Sequence, residues 1–172
     1  MIIALTVVLT LVVALNIVLT FALLRRVAGH EVRLATLEKG APTMADIGER
    51  IEDFAASTTA GEVLTRDDLA PGTVIGFFDP DCELCQSHVT AFTATANALG
   101  DRSRTLAVIR ESEEADLMVE AFGPGVRTLI ERRRGPVARA FHVLATPSFC
   151  TVGPGQTIAS HDYQQPELVA TA

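Results

Sequence analysis

The sequence predicts an α/β fold, a sandwich of three layers, preceded by one membrane-spanning helix. Three observations support this prediction. Residues 2–24 form a long apolar run without a charged residue. After this run, segments typical of strands alternate with segments typical of helices, and the last two predicted strands form a hairpin. Such alternation is characteristic of a sheet that is covered by helices on both faces.

Residues 1–24 are predicted to form a transmembrane anchor. As a helix, residues 2–24 would be roughly 34 Å long, enough to cross a hydrocarbon core of about 30 Å. The run is too long for the hydrophobic region of a signal peptide, no Lys or Arg precedes it, and no small-residue cleavage site follows it closely. We therefore expect a retained single span.

Residues 25–44 are predicted to form a juxtamembrane helix and linker. Heptad-like spacing relates Val27, His30, Leu34 and Leu37. This spacing raises the option of a dimer through the juxtamembrane helix. Basic residues follow the span at Arg25, Arg26, Arg33 and Lys39. The positive-inside rule would therefore place the domain in the cytoplasm.

Residues 45–172 are predicted to form the α/β domain. Strands are expected at 51–54, 62–64, 73–78, 104–110, 126–131, 148–152 and 157–160. Helices are expected at 82–99, 114–122 and 136–142. A turn at 153–156 joins the last two strands.

Composition excludes several classes of protein. The formal net charge is −7 and every charged residue follows position 24, so the domain is a poor candidate for binding nucleic acid. The basic run Arg132-Arg133-Arg134 is interpreted as a solvated loop or turn. Three cysteines are too few for a domain stapled by disulfides, whereas 48% hydrophobic residues are enough for an ordinary core.

The segment FFDPDCELCQ (77–86) places two cysteines where a buried strand meets a helix. Residues three apart on a helix lie on one face with Cβ atoms about 5–6 Å apart, close to disulfide range. Cys82 falls at the helix start, where free N–H groups and the helix dipole stabilise a thiolate. Cys85 lies one turn deeper. We therefore predict that Cys82 is the attacking nucleophile and Cys85 the resolving thiol.

Metal binding and simple packing are the alternatives for this pair. A structural zinc site usually has four ligands, and no second CxxC or HxxxH is present. His88 points to another side of the helix, and His142 and His161 are isolated. Packing alone does not explain two cysteines at a strand–helix junction. We expect no metal, and no cofactor other than the redox-active disulfide.

Four segments in order resemble a known family: IGERIEDF (47–54), TTAGEVLTRDDL (58–69), GFFDPDCELC (76–85) and VARAFHVLATPSF (137–149). They are similar to thioredoxin-fold proteins of the TlpA/ResA type, and especially to the membrane-anchored MauD-like proteins. The resemblance covers about residues 45–165, and the anchor and juxtamembrane helix also fit the MauD-like layout. It implies a thioredoxin-like three-layer α/β/α sandwich and a thiol–disulfide oxidoreductase.

The resemblance also implies a substrate-binding loop. Thr146–Pro147 would be a cis peptide facing the redox pair, because an X–Pro bond adopts cis at the lowest cost. Thr146 would then offer backbone groups to a substrate chain. The implied partners are cysteine-containing protein substrates and an electron donor that the sequence does not identify. Family precedent places the domain outside the cytoplasm, against the charge rule.

The chain departs from the family at two places. Gly76 occupies the position at which many thioredoxins have a buried Asp, six residues before the first cysteine. The dipeptide Glu83-Leu84 stands where the family often has proline or glycine. Slower proton transfer during resolution is the expected result of the first departure.

Residues around the redox pair are expected to tune it: Asp79, Pro80, Asp81, Glu83 and Leu84. Their three carboxylates would oppose the helix dipole and disfavour a thiolate at Cys82. A less stabilised thiolate makes the couple less oxidising, so we expect a reductase. Cys150 is interpreted as a buried, inert core residue.

Three other functions compete with this one. A copper-delivery protein of the Sco type has the same fold and anchor, but it usually has CxxxC spacing and a distal histidine, for which His142 or His161 would be needed. A peroxiredoxin would need a proline–threonine setting that is absent. A non-catalytic interaction module would not require the intact CxxC and Thr146-Pro147.

Overall fold

The computed structural model describes Asn16 and residues 43–162. The latter belong to the second of two units, residues 42–172, into which the chain divides. The predicted anchor, apart from Asn16, and nearly all of the juxtamembrane segment lie outside the described residues. Within the described part of the chain, no helix is both long and apolar enough to cross a membrane.

Strands and helices alternate over residues 43–162. The strands are β1 (Ala55–Ser57), β2 (Val63–Thr65), β3 (Val74–Phe78), β4 (Thr105–Arg110), β5 (Arg127–Glu131), β6 (Ser148–Gly153) and β7 (Thr157–Asp162). The α-helices are α1 (Glu83–Leu99), α2 (Ala115–Phe122) and α3 (Pro136–Ala140). Short 3₁₀ turns at Arg66–Asp68 and Arg102–Arg104 precede β3 and β4.

The central sheet has the strand order β5-β4-β3-β6-β7. Strands β3, β4 and β5 run parallel to one another, whereas β6 is antiparallel to β3 and β7 is antiparallel to β6. Strands β1 and β2 form a separate antiparallel hairpin. Because β3 is central and covered on both faces, all five of its residues are buried and its sequence, VIGFF, is uniformly non-polar.

Alternation along β3 divides the core in two. Val74 and Phe78 pack with apolar residues of α1 and α2. Ile75 and Phe77 face the other way and pack with α3 and the segment that precedes β1. Successive strand residues point to opposite faces of a sheet, so this division defines a three-layer sandwich. The predicted three-layer fold is therefore present.

One predicted strand is wrong. A strand was expected at 51–54, but the first strand begins at Ala55. The Ile51 N–H donates to the Gln156 carbonyl at 2.9 Å, and the Glu52 N–H donates to the Ala140 carbonyl at 3.2 Å. This segment is thus held by the β6–β7 turn and by α3, and the preceding Arg50 forms an isolated antiparallel bridge with Thr157 of β7. Ile51 and Phe54 are buried, but they lie three residues apart, which is not the two-residue alternation of a strand.

The parallel strands bring three loops to one edge of the sheet. The carboxyl ends of β3, β4 and β5 lie side by side, because Phe78 pairs with Ile109 and Arg110 pairs with Glu131. The loops 79–82, 111–114 and 132–135 therefore start from the same edge. Open α/β sheets place their functional groups at this edge.

Candidate redox site

Cys82 is the N-cap of α1. Its backbone is extended, with φ −103° and ψ 113°. Its carbonyl accepts a hydrogen bond from the Gln86 N–H at 3.1 Å, and its own N–H donates to the Asp79 carbonyl at 3.1 Å. Its side chain is partly exposed. A thiol at this position lies beside the unpaired N–H groups of the first helical turn and remains open to solvent.

Cys85 lies on the first turn of α1 and has no solvent exposure. Burial raises its pKa to about 12, and its contact with Cys82 acts in the same direction. A backbone hydrogen bond from Asp79 and a hydrogen bond from the Thr146 side chain oppose this rise. Cys85 is therefore a protonated thiol at neutral pH. The structure thus brings together an accessible sulfur and a covered one, both as free thiols.

Gly76 has no room for a side chain. A Cβ atom there would lie 2.6 Å from Cε2 of Phe78 and 2.9 Å from Cε2 of Phe92. These rings pack edge to face, with centroids 5.4 Å apart. Aromatic rings therefore fill the space that an aspartate at position 76 would need. A base that deprotonates Cys85 must come from elsewhere.

Arg110 holds the loop that precedes the redox pair. Its Nε donates to Oδ2 of Asp79 at 2.7 Å, and its Nη2 donates to Oδ1 of the same carboxylate at 2.6 Å. The same Nη2 also contacts the Asp81 carboxylate. Hydrogen bonding from Arg110 is the main reason that the pKa of Asp79 is lowered. The Asp81 N–H also donates to Oδ1 of Asp79, at 3.0 Å.

This pairing changes the expected electrostatics. The sequence predicts that the carboxylates of Asp79, Asp81 and Glu83 act together against a thiolate at Cys82. Arg110 forms ion pairs with Asp79 and Asp81, so its single positive charge offsets one of the three negative charges, and Glu83 has no ion-pair partner among residues 43–162. The sequence contains a signal that Arg110 lies near Asp79. Arg110 is the last residue of a predicted strand, so its side chain starts from the sheet edge that also bears Asp79.

The other tuning residues occupy distinct places. Pro80 is buried, and its carbonyl accepts a hydrogen bond from the Gln86 side chain at 2.8 Å. Leu84 is 53% exposed, so it presents an apolar surface between the two cysteines. The loop before α1 is thus anchored at its proline, and the dipeptide between the cysteines is open to solvent.

The Thr146–Pro147 peptide bond is cis. Ser148 follows it at the start of β6 and lies opposite Phe77 of β3. The Ser148 hydroxyl donates to the Ala145 carbonyl at 2.7 Å, which closes the loop. Because β6 is adjacent to β3, this loop lies beside the start of α1. This explains why the Thr146 side chain can hydrogen bond with Cys85.

Cys150 lies on the opposite face of the sheet from Cys85. It is completely buried, and it packs in the cluster of α3, whereas Cys85 packs in the cluster of α1 and α2. Burial raises the pKa of its thiol. The sheet therefore separates Cys150 from the redox pair, as a core role requires.

Two of the described histidines, His88 and His142, have other contacts. Nδ1 of His88 lies 2.8 Å from the Leu84 carbonyl. His142 contacts the carboxylates of Glu49 at 3.3 Å and Glu52 at 3.0 Å. Over the described residues, no group of three or more His, Cys, Asp or Glu side chains is placed to hold a metal ion.

Comparison with known proteins identifies the fold through structure alone. No family model and no curated protein matches the sequence. A thiol-disulfide isomerase of Thermus thermophilus matches with a TM-score of 0.56 and 22% identity, over 69% of this chain and 86% of that one. The thioredoxin domain of a thiol-disulfide oxidoreductase of Bacteroides vulgatus matches with a TM-score of 0.58 and 15% identity, over 69% and 89%.

A third match is a secreted disulfide oxidoreductase of Mycobacterium tuberculosis, described as homologous to E. coli DsbE. Its TM-score is 0.54 and its identity 16%, over 66% of this chain and 84% of that one. At these identities the likeness establishes the fold. The described domain is a thioredoxin-like α/β fold.

Proposed function

We propose that this chain is a membrane-anchored thiol–disulfide oxidoreductase that reduces disulfides of cysteine-containing proteins. The observation that carries the proposal is the arrangement of two thiols. Cys82 is accessible at a helix start, Cys85 is buried one turn later, and the cis Thr146–Pro147 loop lies against them. The solved structures of similar fold that are described as disulfide oxidoreductases support it.

The reaction needs only the two thiols. The Cys82 thiolate attacks one sulfur of a substrate disulfide, and the other substrate sulfur leaves and takes a proton from solvent. Cys85 then loses its proton to solvent and attacks Sγ of Cys82 in the mixed disulfide. The second substrate sulfur is released and protonated as a thiol. Two electrons pass to the substrate, and the protein is left with a Cys82–Cys85 disulfide.

The proposed direction is reduction. Stabilisation of the reduced form is what makes a dithiol pair a strong oxidant. Here burial keeps Cys85 as a neutral thiol, and Arg110 is already bound to two carboxylates. Glu83 adds an unpaired negative charge next to Cys82. These groups give little stabilisation to a thiolate, which favours a reducing couple.

The setting of the enzyme is part of the proposal. The apolar run at 2–24 supports a single-pass anchor, and the resemblance to TlpA- and MauD-like proteins supports an extracytoplasmic domain. The juxtamembrane spacing supports a dimer. A reporter fused at the C-terminus tests the orientation, because it is active on one side of the membrane only. A cytoplasmic signal would overturn the extracytoplasmic placement.

A redox titration tests the function. The full chain in detergent is equilibrated in thiol buffers, and free thiols are labelled and read by mass spectrometry. We expect a reversible two-electron disulfide between Cys82 and Cys85, with a potential nearer the about −270 mV of thioredoxin than the about −120 mV of DsbA. Thiols are labelled after the chain is unfolded, and Cys150 is an internal control that should remain a free thiol at every potential, because it packs on the opposite face of the sheet from Cys85.

Two results would count against the proposal. A potential near that of DsbA would overturn the reductase direction while leaving the oxidoreductase in place. Cysteines that never pair, or that pair only after a metal is stripped, would overturn the enzyme. The second result would favour a metal-delivery protein of the Sco type.

A further inference from the structure

A groove adjoins the redox pair. It has a volume of about 430 Å³, and its lining includes Asp79 and Thr146, the two residues that also hydrogen bond with Cys85. One wall is the segment 143–146, which leads to the cis proline. The other wall is Arg132–Arg134, in the loop between β5 and α3. A chain bound across the cysteines would therefore lie next to this basic run.

The carboxylates of the groove are already occupied. Asp79 is bound by Arg110 through two hydrogen bonds. Glu131 is buried, and its two oxygens accept the N–H groups of Val137 at 2.9 Å and Ala138 at 2.8 Å. Neither acid is available to neutralise the arginines of the opposite wall.

The arginines of the run Arg132–Arg134 are largely unpaired. Arg132 has one contact, with Glu111, at 3.5 Å, and its side chain is 89% exposed. Arg133 and Arg134 are exposed and have no carboxylate partner within residues 43–162. The groove therefore carries a surplus of positive charge, on a chain whose formal net charge is −7.

The basic wall acts on the redox loop itself. Hydrogen bonding from Arg110 is the largest cause of the lowered pKa of Asp79, and the positive charge of Arg133 contributes in the same direction. Arg133 is thus within electrostatic range of the residue that precedes the CxxC segment. A solvated loop far from the site would not have this effect.

We propose that the groove selects protein disulfides that are flanked by acidic residues. Glu or Asp side chains a few residues from the target cysteine would pair with Arg133 and Arg134, while apolar substrate atoms contact Leu144, which is 66% exposed. Complementary charge at a rim mainly raises the rate of association and depends on salt. This inference rests on the proposed function, because it names the substrate class of the same site.

Matched peptides test the preference. Two peptides have the same disulfide and differ only in flanking residues, Glu in one and Gln in the other. The reduced full chain in detergent is mixed with each, and the rate constant of thiol–disulfide exchange is measured. We expect the Glu peptide to react roughly tenfold faster at low ionic strength, and the difference to fall severalfold in about 1 M salt.

Charge variants locate the effect. Arg133→Gln combined with Arg134→Gln should lower the rate with the Glu peptide to near that with the Gln peptide. Arg133→Glu should lower it further. Arg102→Gln is the matched control, because Arg102 is exposed and precedes β4, at the opposite end of that strand from Arg110. This control should keep the full preference.

The outcomes separate the two proposals. Equal rates for the two peptides with the wild-type chain would overturn the acidic preference, and the oxidoreductase would stand. A preference that survives in the double variant would also overturn it. No exchange with either peptide would overturn the proposed function and the preference together. The comparison of the two peptides uses the wild-type chain alone. It can therefore overturn the inference even if a variant fails to fold.

Discussion

Arg110 and the run Arg132–Arg134 start from the same edge of the sheet, but they differ in what binds them. Arg110 is 28% exposed and makes ion pairs with two carboxylates of its own chain. Arg132 is 89% exposed, with a single contact at 3.5 Å. Arg133 and Arg134 are exposed as well. Arg110 is thus paired within its own chain, whereas the basic run is left largely unpaired.

The difference separates two uses of the same side chain. A guanidinium that binds a carboxylate through two parallel hydrogen bonds fixes geometry, and here it fixes the loop before Cys82. A guanidinium in solvent contributes little to stability but attracts anions. We therefore expect changes at Arg110 to affect folding and every substrate, and changes at Arg132–Arg134 to affect acidic substrates alone.

The comparison assumes that disulfide exchange takes place at Cys82 and Cys85, next to both segments. Cys85→Ser tests this assumption and has the largest expected effect. Without the resolving thiol, Cys82 should still attack, but the mixed disulfide should persist. Turnover should fall at least about a hundredfold, as is usual when a reacting group is lost. Mass spectrometry should detect the covalent complex. Product release at the wild-type rate would contradict the assigned roles, and Cys150→Ala is the control, with normal turnover expected.

Arg110→Gln would break the ion-paired segment. It leaves Asp79 and Asp81 unpaired, and we expect a loss of roughly 1–2 kcal/mol in the free energy of unfolding, between the values for exposed and buried pairs. Exchange should slow for the Glu and Gln peptides alike, because the freed carboxylates disfavour the thiolate. Chemical denaturation and exchange kinetics measure both effects. Adding Asp79→Asn should restore part of the loss, and no recovery would argue against the pairing.

Acid should reduce the contribution of the Arg110–Asp79 pair to the free energy of unfolding. The pairing lowers the folded-state pKa of Asp79 from the ordinary 3.8. The unfolded chain then binds this proton more readily, so the contribution of Asp79 to stability is present above about pH 4 and is lost as the pH falls through the folded-state value. Denaturation midpoints measured at decreasing pH should therefore change less in Asp79→Asn than in the wild type. If the midpoint changes with pH equally in Asp79→Asn and in the wild type, Asp79 does not contribute to the pH dependence of stability.

Arg132→Gln should have the smallest effect and sharpens the contrast. An exposed arginine with one long contact should change the free energy of unfolding by no more than about 0.5 kcal/mol. Thermal denaturation measures this, with Arg110→Gln as the reference. A loss as large as that of Arg110→Gln would mean that the basic run is also a structural element, and the distinction between the two segments would fail.

Local pattern was enough to predict most of the fold. The apolar run before Cys82, the helical segment after it and the closing hairpin were all visible, because hydrophobic periodicity and turn residues are local signals. The error at 51–54 has a physical cause. Ile51 and Phe54 are buried by tertiary contacts. The N–H groups of Ile51 and Glu52 donate to the carbonyls of Gln156 and Ala140, which lie about a hundred residues away in the sequence.

The electrostatics of the site could not be predicted as completely. Asp79 and Arg110 are 31 residues apart, and only the parallel pairing of β3 with β4 brings them together. The basic run was interpreted correctly as an exposed loop. Its place beside the redox pair depends on β5 ending at the same edge, which a one-dimensional pattern does not show. Charges that are distant in sequence have to be placed by topology before their balance can be judged.

Gly76 also limits the mutational paths open to this chain. An aspartate there would collide with Phe78 and Phe92, so the change to Asp is blocked while both rings remain. Shrinking either ring first would leave a cavity in an aromatic cluster, which typically costs about 3–5 kcal/mol for Phe→Ala. Either order of steps therefore passes through a destabilised intermediate. The glycine is therefore held in place by epistasis, and a lineage with this core would have to find its proton acceptor elsewhere.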